Sequence, residues 1–290
     1  MPSKSLSPTL KPSIEFEALG THWFIEAESG ITPRQERLIH TTLGIIDRTW
    51  SRFRDDSLVA TMSRRVGEYP LSVTDRGLMQ WYHLLYKATE GYINPLVGQT
   101  LADAGYDASY RLAPKTTIAT TPSWDEVIKL TATGITITQP GIIDVGAAGK
   151  GFAIDAIADL FKTQSYTIDA GGDIRIKGTP QTIGLEHPLH RGELIGTITI
   201  KDKSICGSAG NRRQWGDWHH IINPRTSRPV ENVIATWAVA DTAMHADGIA
   251  SALFFVPPEQ LTQLGDFAYV IMYENGKVYH TNTQDIRLFT

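Results

Sequence analysis

The 290-residue sequence predicts an α+β fold, a single unit of mixed antiparallel sheets with flanking helices. Three observations predict it. β-prone segments come in pairs around short glycine turns, as at Tyr166–Lys177 around Gly171-Gly172, which is the pattern of antiparallel hairpins. Helix-period segments stand between these pairs, and that mixture points to α+β. No internal repeat, low-complexity tract or linker divides the chain.

Residues 1–12, rich in Pro, Ser and Lys, read as a flexible N-terminal arm, with one domain over 13–290. Residues 14–28 alternate around Gly20 and predict a hairpin. Thr32, Pro33 and Gln35 form a capping box with proline at the first helical position. The apolar face of that helix is assigned to Leu38, Ile45, Ile46 and Phe53. Arg54 to Ser57 opens a second short helix. Leu78, Trp81, Tyr82, Leu85 and Tyr86 recur at helical spacing over 75–89, and their aromatics read as core. Asn94 to Tyr110 reads as loop plus short helix. Ser123 and Glu126 cap a helix expected to reach Leu130. Ile135 to Asp144 predicts a hairpin, and a helix covers 150–162. Thr182–Glu186, Gly196–Ile200 and Ile205 continue the β character, and Trp215–Pro229 reads as a histidine-bearing loop. Val233–Ala240 is a strand, Asp241 caps a helix to about Phe255, and strands at 267–273 and 277–280 close the chain.

With 41% hydrophobic and 20% charged residues, the composition is that of a soluble globular protein. A net charge of −4 gives no reason to expect nucleic acid. One cysteine, Cys206, excludes a disulfide framework and a multi-cysteine metal site. The first residues lack the apolar core of a signal peptide, no run is long enough to cross a membrane, and a cytoplasmic location is expected.

Residues 141–155 organise the chain. Ile142, Ile143 and Val145 read as a strand end, Gly146 to Gly151 as a glycine-rich turn, and the following residues as a helix. Free amides at a helix start, with Lys150 beside them, suit an anion. A tight turn with Lys150 in solvent fits the same residues. Gly151 follows Lys150 where a P-loop has Ser or Thr, and G-x-G-x-x-G is absent. Asp247 and Ser251 lie four apart on one helical face, two oxygen ligands suited to Mg²⁺, or a dipole-facing Asp and a packed Ser. His219 and His220 can shuttle protons or satisfy loop backbone. Zinc lacks cysteines or a paired-histidine helix, and a serine hydrolase lacks G-x-S-x-G.

Taken in order, several motifs resemble the ApbE family, the FAD:protein FMN transferases, over about Leu19 to Phe255. Leu19-Gly20-Thr21 resembles the family's early Met-Gly-Thr, and Trp50-Ser51-Arg52-Phe53 with Ser57 its Ser-x-Tyr…Ser segment. Gly91 to Gly98, followed by Ala104-Gly105-Tyr106-Asp107, is similar to Gly-x-x-Asp-Pro-Thr-Val-Gly and the Gly-Tyr element after it. Asp144 to Asp155 resembles Asp-Leu-Gly-Gly-Ile-Ala-Lys-Gly-Tyr-Ala-x-Asp, and Ala170 to Asp173 a Gly-Gly-Asp hairpin. His220 to Pro229 resembles His-x-Ile-Asp-Pro-x-Thr-Gly-x-Pro, and Ala246 to Leu253 resembles Ala-Asp-Ala-x-Ala-Thr-Ala-Leu.

The resemblance implies a T-fold-related unit with two lobes around a flavin cleft. It implies Mg²⁺-dependent transfer of FMN from FAD to a Thr or Ser hydroxyl of an acceptor flavoprotein, with release of AMP. Hydrolysis of FAD to FMN and AMP, or an FAD carrier without catalysis, are the alternatives. By position, FAD contacts fall on Leu19, Phe53, Ala104, Gly105, Tyr106, Asp144, Lys150 and Ile222. The metal falls on Asp247, Ser251 and the Ala147 carbonyl, and His220 is the candidate for proton transfer. The sequence departs from the pattern at Phe53 (for Tyr), Asn94 and Asn223 (for Asp), Gly207-Ser208-Ala209 (for Thr-Ser-Gly), Ser227 (for Gly) and Ser251 (for Thr).

Overall fold

The computed structural model describes residues 11–289. Of the expected arm, residues 1–10 lie outside the described residues, and Lys11 and Pro12 already belong to β1 (Lys11–Ala18), which pairs with β2 (Thr21–Ile31) as a hairpin. α1 (Pro33–Trp50) carries the expected capping box, with Gln35 N–H donating to Thr32 Oγ1 and Thr32 N–H to the Gln35 side chain. Its buried face is Ile39, Leu43, Ile46 and Trp50. Leu38 and Ile45, expected on that face, are 39% and 52% exposed, and Phe53 lies beyond the helix. Both exposed residues sit one position before the buried i, i+4, i+7 row, which rotates them about 100° away from the core.

Ser57 caps α2 (Leu58–Met62), which is followed by β3 (Gly67–Pro70) and α3 (Val73–Ala88), with Leu78, Trp81, Tyr82 and Leu85 buried. A 3-10 turn at Pro95–Val97 and α4 (Gly98–Asp103) fill the expected loop and short helix. α5 (Trp124–Val127) has its capping box but stops after four residues. The residues expected to extend it form β4 (Ile128–Leu130), which pairs with β5 (Gly134–Ile137). That is the hairpin of this region, in place of one over 135–144, and Ile142, Ile143 and Val145 are not in a strand. Sheet pairing wins here because Ile128 and Ile137, both buried, face each other across the ladder.

α6 (Gly149–Ala158) leads through a 3-10 turn into the β6 (Tyr166–Ala170) and β7 (Ile174–Lys177) hairpin. β8 (Gln181–Glu186), β9 (Leu194–Ile200) and β10 (Ser204–Ala209) follow. The histidine-bearing loop contains two small ribbons, β11 (Gln214–Trp215) with β12 (Trp218–His219), and β13 (Ile222–Asn223) with β14 (Arg228–Pro229). β15 (Val233–Ala240) precedes α7 (Ala243–Ala252), whose cap is Thr242 rather than Asp241. The Thr242 hydroxyl accepts the His245 N–H, while Asp241 is exposed and pairs with Lys203. The helix expected to reach Phe255 stops at Ala252. α8 (Pro258–Leu261), β16 (Ala268–Tyr273), β17 (Val278–His280) and an unexpected β18 (Ile286–Leu288) complete the chain.

The main sheet has eight antiparallel strands in the order β1-β2-β6-β7-β10-β15-β16-β17. One face packs on α1, α3, α6 and α7, where Ile25, Ile168, Cys206 and Ala238 meet Leu43, Leu85, Ile154 and Ile249. Behind the other face lies the β18-β9-β8 sheet, where Ile205, Trp237 and Val239 meet Leu185 and Ile198. Alternate residues of β10 and β15 thus enter different cores, which explains the nearly unbroken apolar run of Val233–Ala240. A third cluster, Leu101, Ala104, Tyr106, Trp215, Trp218 and Ile222, ties the ribbons to α4.

Candidate active site

A cleft of about 880 Å³ opens where α6, α7 and the β1–β2 turn meet the ribbon region. Leu19, Phe53, Tyr106, Asp144, Ala147 and Lys150 line it, together with His220, Ile222, Asp247 and Ser251. Ala104 and Gly105 do not. The Ala104 carbonyl is buried and accepts the Trp215 indole N–H at 2.8 Å. Gly105, at φ 104°, passes so close to Ala113 that an added Cβ would stand 2.4 Å from its nitrogen. Both set the backbone that delivers Tyr106.

α6 and α7 hold the charged centre, and each caps the other. Asp155 of α6 accepts the Ala243 and Met244 amides at the start of α7, both at 2.9 Å, and pairs with Arg175. Asp247 of α7 accepts the Gly151 amide in the first turn of α6 at 3.0 Å. The helices meet at Gly151, where an added Cβ would lie 2.2 Å from the Ala243 oxygen. Lys150 is therefore not in solvent. It forms an ion pair with buried Asp173 and stands 3.8 Å from Asp247.

The glycine-rich turn is also more satisfied than its sequence suggests. The Gly146 amide donates to Asp144, the Gly149 amide to the Val145 carbonyl, the Ala148 amide to the Tyr82 hydroxyl and the Gly151 amide to Asp247. Expected as free anion donors, these four are spent on the protein itself.

Burial raises the Asp247 carboxyl above its usual range, against the pull of Lys150 and the Gly151 amide. At Asp144 burial also opposes the charged form, but the Arg52 guanidinium and the Gly146 amide win and hold that carboxyl low. Arg52 donates to Asp144 at 2.5 Å and to the Tyr106 carbonyl at 2.8 Å, with its carbon 4.2 Å from the Phe53 ring centroid. Desolvation, then the charge of Arg213, pushes His220 down to about 3, so the ring is neutral at pH 7, and its buried Nδ1 has no hydrogen-bond partner among the described residues.

The candidate metal ligands are oxygen donors throughout. Ser251 Oγ donates to the Ala147 carbonyl at 3.2 Å, and Asp247 lies one turn earlier on the same helix. A carboxylate, a hydroxyl and a carbonyl suit a hard cation such as Mg²⁺. Among the described residues no cluster of three His, Cys, Asp or Glu offers another metal site.

Sequence reasoning did not assign Arg52, Tyr82, Asp173 or Arg213 to the site. Asp173 was visible only as the end of a Gly-Gly-Asp hairpin, and Arg213 carried no signal. Of the departures, Asn94 accepts the Leu96 amide at 3.0 Å and donates to the Pro122 carbonyl at 2.9 Å, a donor that Asp lacks. Asn223 accepts the Arg225 amide at 2.9 Å, as an Asp could. Ser227 keeps a left-handed φ of 53°, the conformation that a glycine adopts freely.

Comparison with known proteins gives a consistent picture. The model of the ApbE family matches residues 19–269. A Klebsiella pneumoniae protein named FAD:protein FMN transferase is 28% identical over 184 residues, 59% of this chain and 58% of that protein. A Vibrio cholerae protein of the same name is 25% identical over 238 residues, 72% of this chain and 70% of that one. The match to the Klebsiella protein thus spans less than two thirds of its length. The crystal structure of an ApbE protein from Thermotoga maritima shares the fold, with a TM-score of 0.77 at 21% identity over 93% of this chain and 96% of that one.

Proposed function

The chain belongs to the ApbE family, and on that premise we propose that it moves the FMN half of FAD onto a Thr or Ser hydroxyl of an acceptor flavoprotein, releasing AMP. The observation that carries this reading is the convergence, in one cleft, of the Lys150–Asp173–Asp247 charge cluster, the Asp247–Ser251–Ala147 oxygen set and aromatic side chains at Phe53, Tyr106 and Tyr110. About 880 Å³ lies within the range of sites that enclose a ligand of cofactor size.

In this reading Asp247, Ser251 and the Ala147 carbonyl would hold Mg²⁺, which would supply neutralising charge at a diphosphate. Phe53, Tyr106 and Tyr110 form an aromatic wall of the cleft beside which a flavin or adenine ring could pack. Asp173 and Asp247 fix the Lys150 ammonium in place, so it needs little reorganisation as charge develops. The bond from the acceptor oxygen to the FMN phosphorus forms, the bond from that phosphorus to the bridging oxygen breaks, and AMP leaves with the electron pair. The hydroxyl proton needs an acceptor, and neutral His220 in the cleft lining is the candidate for it. Asn94 and Asn223 fill backbone-capping roles, so their presence supports an intact cleft rather than a lost activity.

The test is incubation with FAD and Mg²⁺, without and with a flavoprotein acceptor domain. AMP, free FMN and acceptor mass are followed. AMP with an acceptor heavier by one FMN is expected. AMP with free FMN in both tubes would replace transfer by hydrolysis, and intact bound FAD in both would replace it by carriage.

A further inference from the structure

Four Arg and Lys side chains line the cleft: Arg52, Arg54, Lys150 and Arg213. Three already have carboxylate partners. Arg52 pairs with Asp144, Arg54 with Asp47 and Asp56, and Lys150 with Asp173 and Asp247. Arg213 alone of the four has no hydrogen bond or ion pair from its side chain among the described residues, and its carbon lies 5.8 Å from the Tyr106 ring centroid. The short 3-10 turn Gly210–Arg213 carries it, and its own carbonyl accepts the His220 amide at 3.3 Å. It therefore stands beside the candidate proton acceptor with its donors unspent. Four of the turn amides that could have served an anion, those of Gly146, Ala148, Gly149 and Gly151, are occupied too.

We propose that Arg213 is the phosphate-reading residue of this cleft, its guanidinium binding the diphosphate oxygens of the dinucleotide. The inference rests on the proposed FAD reaction but goes further, because it adds Arg213 as the side-chain counter-ion that grips the diphosphate. A guanidinium presents a planar fork of donors that matches phosphate oxygens. Lys150 already pairs with two carboxylates, whereas the donors of Arg213 are unspent.

The test compares FAD, inorganic pyrophosphate and riboflavin as ligands of the wild type, Arg213→Gln and Arg213→Lys, by calorimetry at two salt concentrations. Arg213→Gln is expected to weaken FAD and pyrophosphate roughly ten- to a hundredfold and leave riboflavin unchanged. It should also flatten the salt dependence of FAD binding. Arg213→Lys, which keeps the charge without the fork, should fall between the two for the phosphate ligands. Equal losses for riboflavin and FAD in either variant would mean a packing role and overturn the proposal, as would unchanged FAD affinity. A wild type that binds no FAD at all would instead sink the proposed function.

Discussion

Asp247 is both a helix cap and a candidate metal ligand, and the two roles can be separated. Asp247→Asn keeps an acceptor for the Gly151 amide but removes the charge facing Lys150. The variant should fold as the wild type does and lose roughly a hundredfold or more in turnover. A steady-state assay across a Mg²⁺ titration checks this, and wild-type turnover would show that the metal lies elsewhere. His220 allows a different measurement. Its folded pKa of about 3 lies below the ordinary 6.5, so the unfolded chain takes up the proton first as pH falls. The stability that the neutral ring contributes is complete above about pH 6.5 and lost progressively toward pH 3. Urea melts should show a shallower acid decline over that window in His220→Gln, and parallel declines would mean that the ring is not held neutral.

Among the elements, the α6–α7 pair decides the site. Each helix start is capped by the other's aspartate, and Gly151 lets their backbones touch. Gly151→Ala places a methyl group against backbone that has no side chain to swing aside. We expect a loss of about 1–3 kcal/mol in denaturant unfolding. Ligand affinity should fall as well, because the shift separates Lys150 from Asp247. A variant as stable as the wild type would mean that the crossing relaxes more easily than its geometry indicates. α5 shows the opposite case, a helix with a good cap that ends because the next residues gain more as a strand.

Across the whole molecule, the main sheet separates two cores, and the cleft is lined mostly from the helix side, with Ala209 of the other core at its edge. Leu185, fully buried in the core behind the sheet, does not line the cleft. Leu185→Ala should cost about 2–5 kcal/mol of stability while FAD affinity in the folded protein is unchanged. A melting curve beside a binding isotherm checks both, and a parallel loss of affinity would show the two cores to be coupled. The sequence by itself determined the α+β class, most hairpins and helices, and the capping boxes at Thr32 and Ser123. Period, turn glycines and cap residues act over a few positions, so they can be read locally. Asp247 and Ser251 were legible for the same reason, since four residues on a helix fix a shared face. Only the tertiary structure decided that α1 buries Ile39 rather than Leu38, and that Ile128 joins a strand. It alone showed that four of the turn amides and Lys150 are already engaged, while the Arg213 side chain has no hydrogen bond or ion pair among the described residues. Each of those outcomes depends on which distant group fills a nearby space or charge, as Asp247 does for Gly151 from 96 positions away, and local sequence carries no record of that.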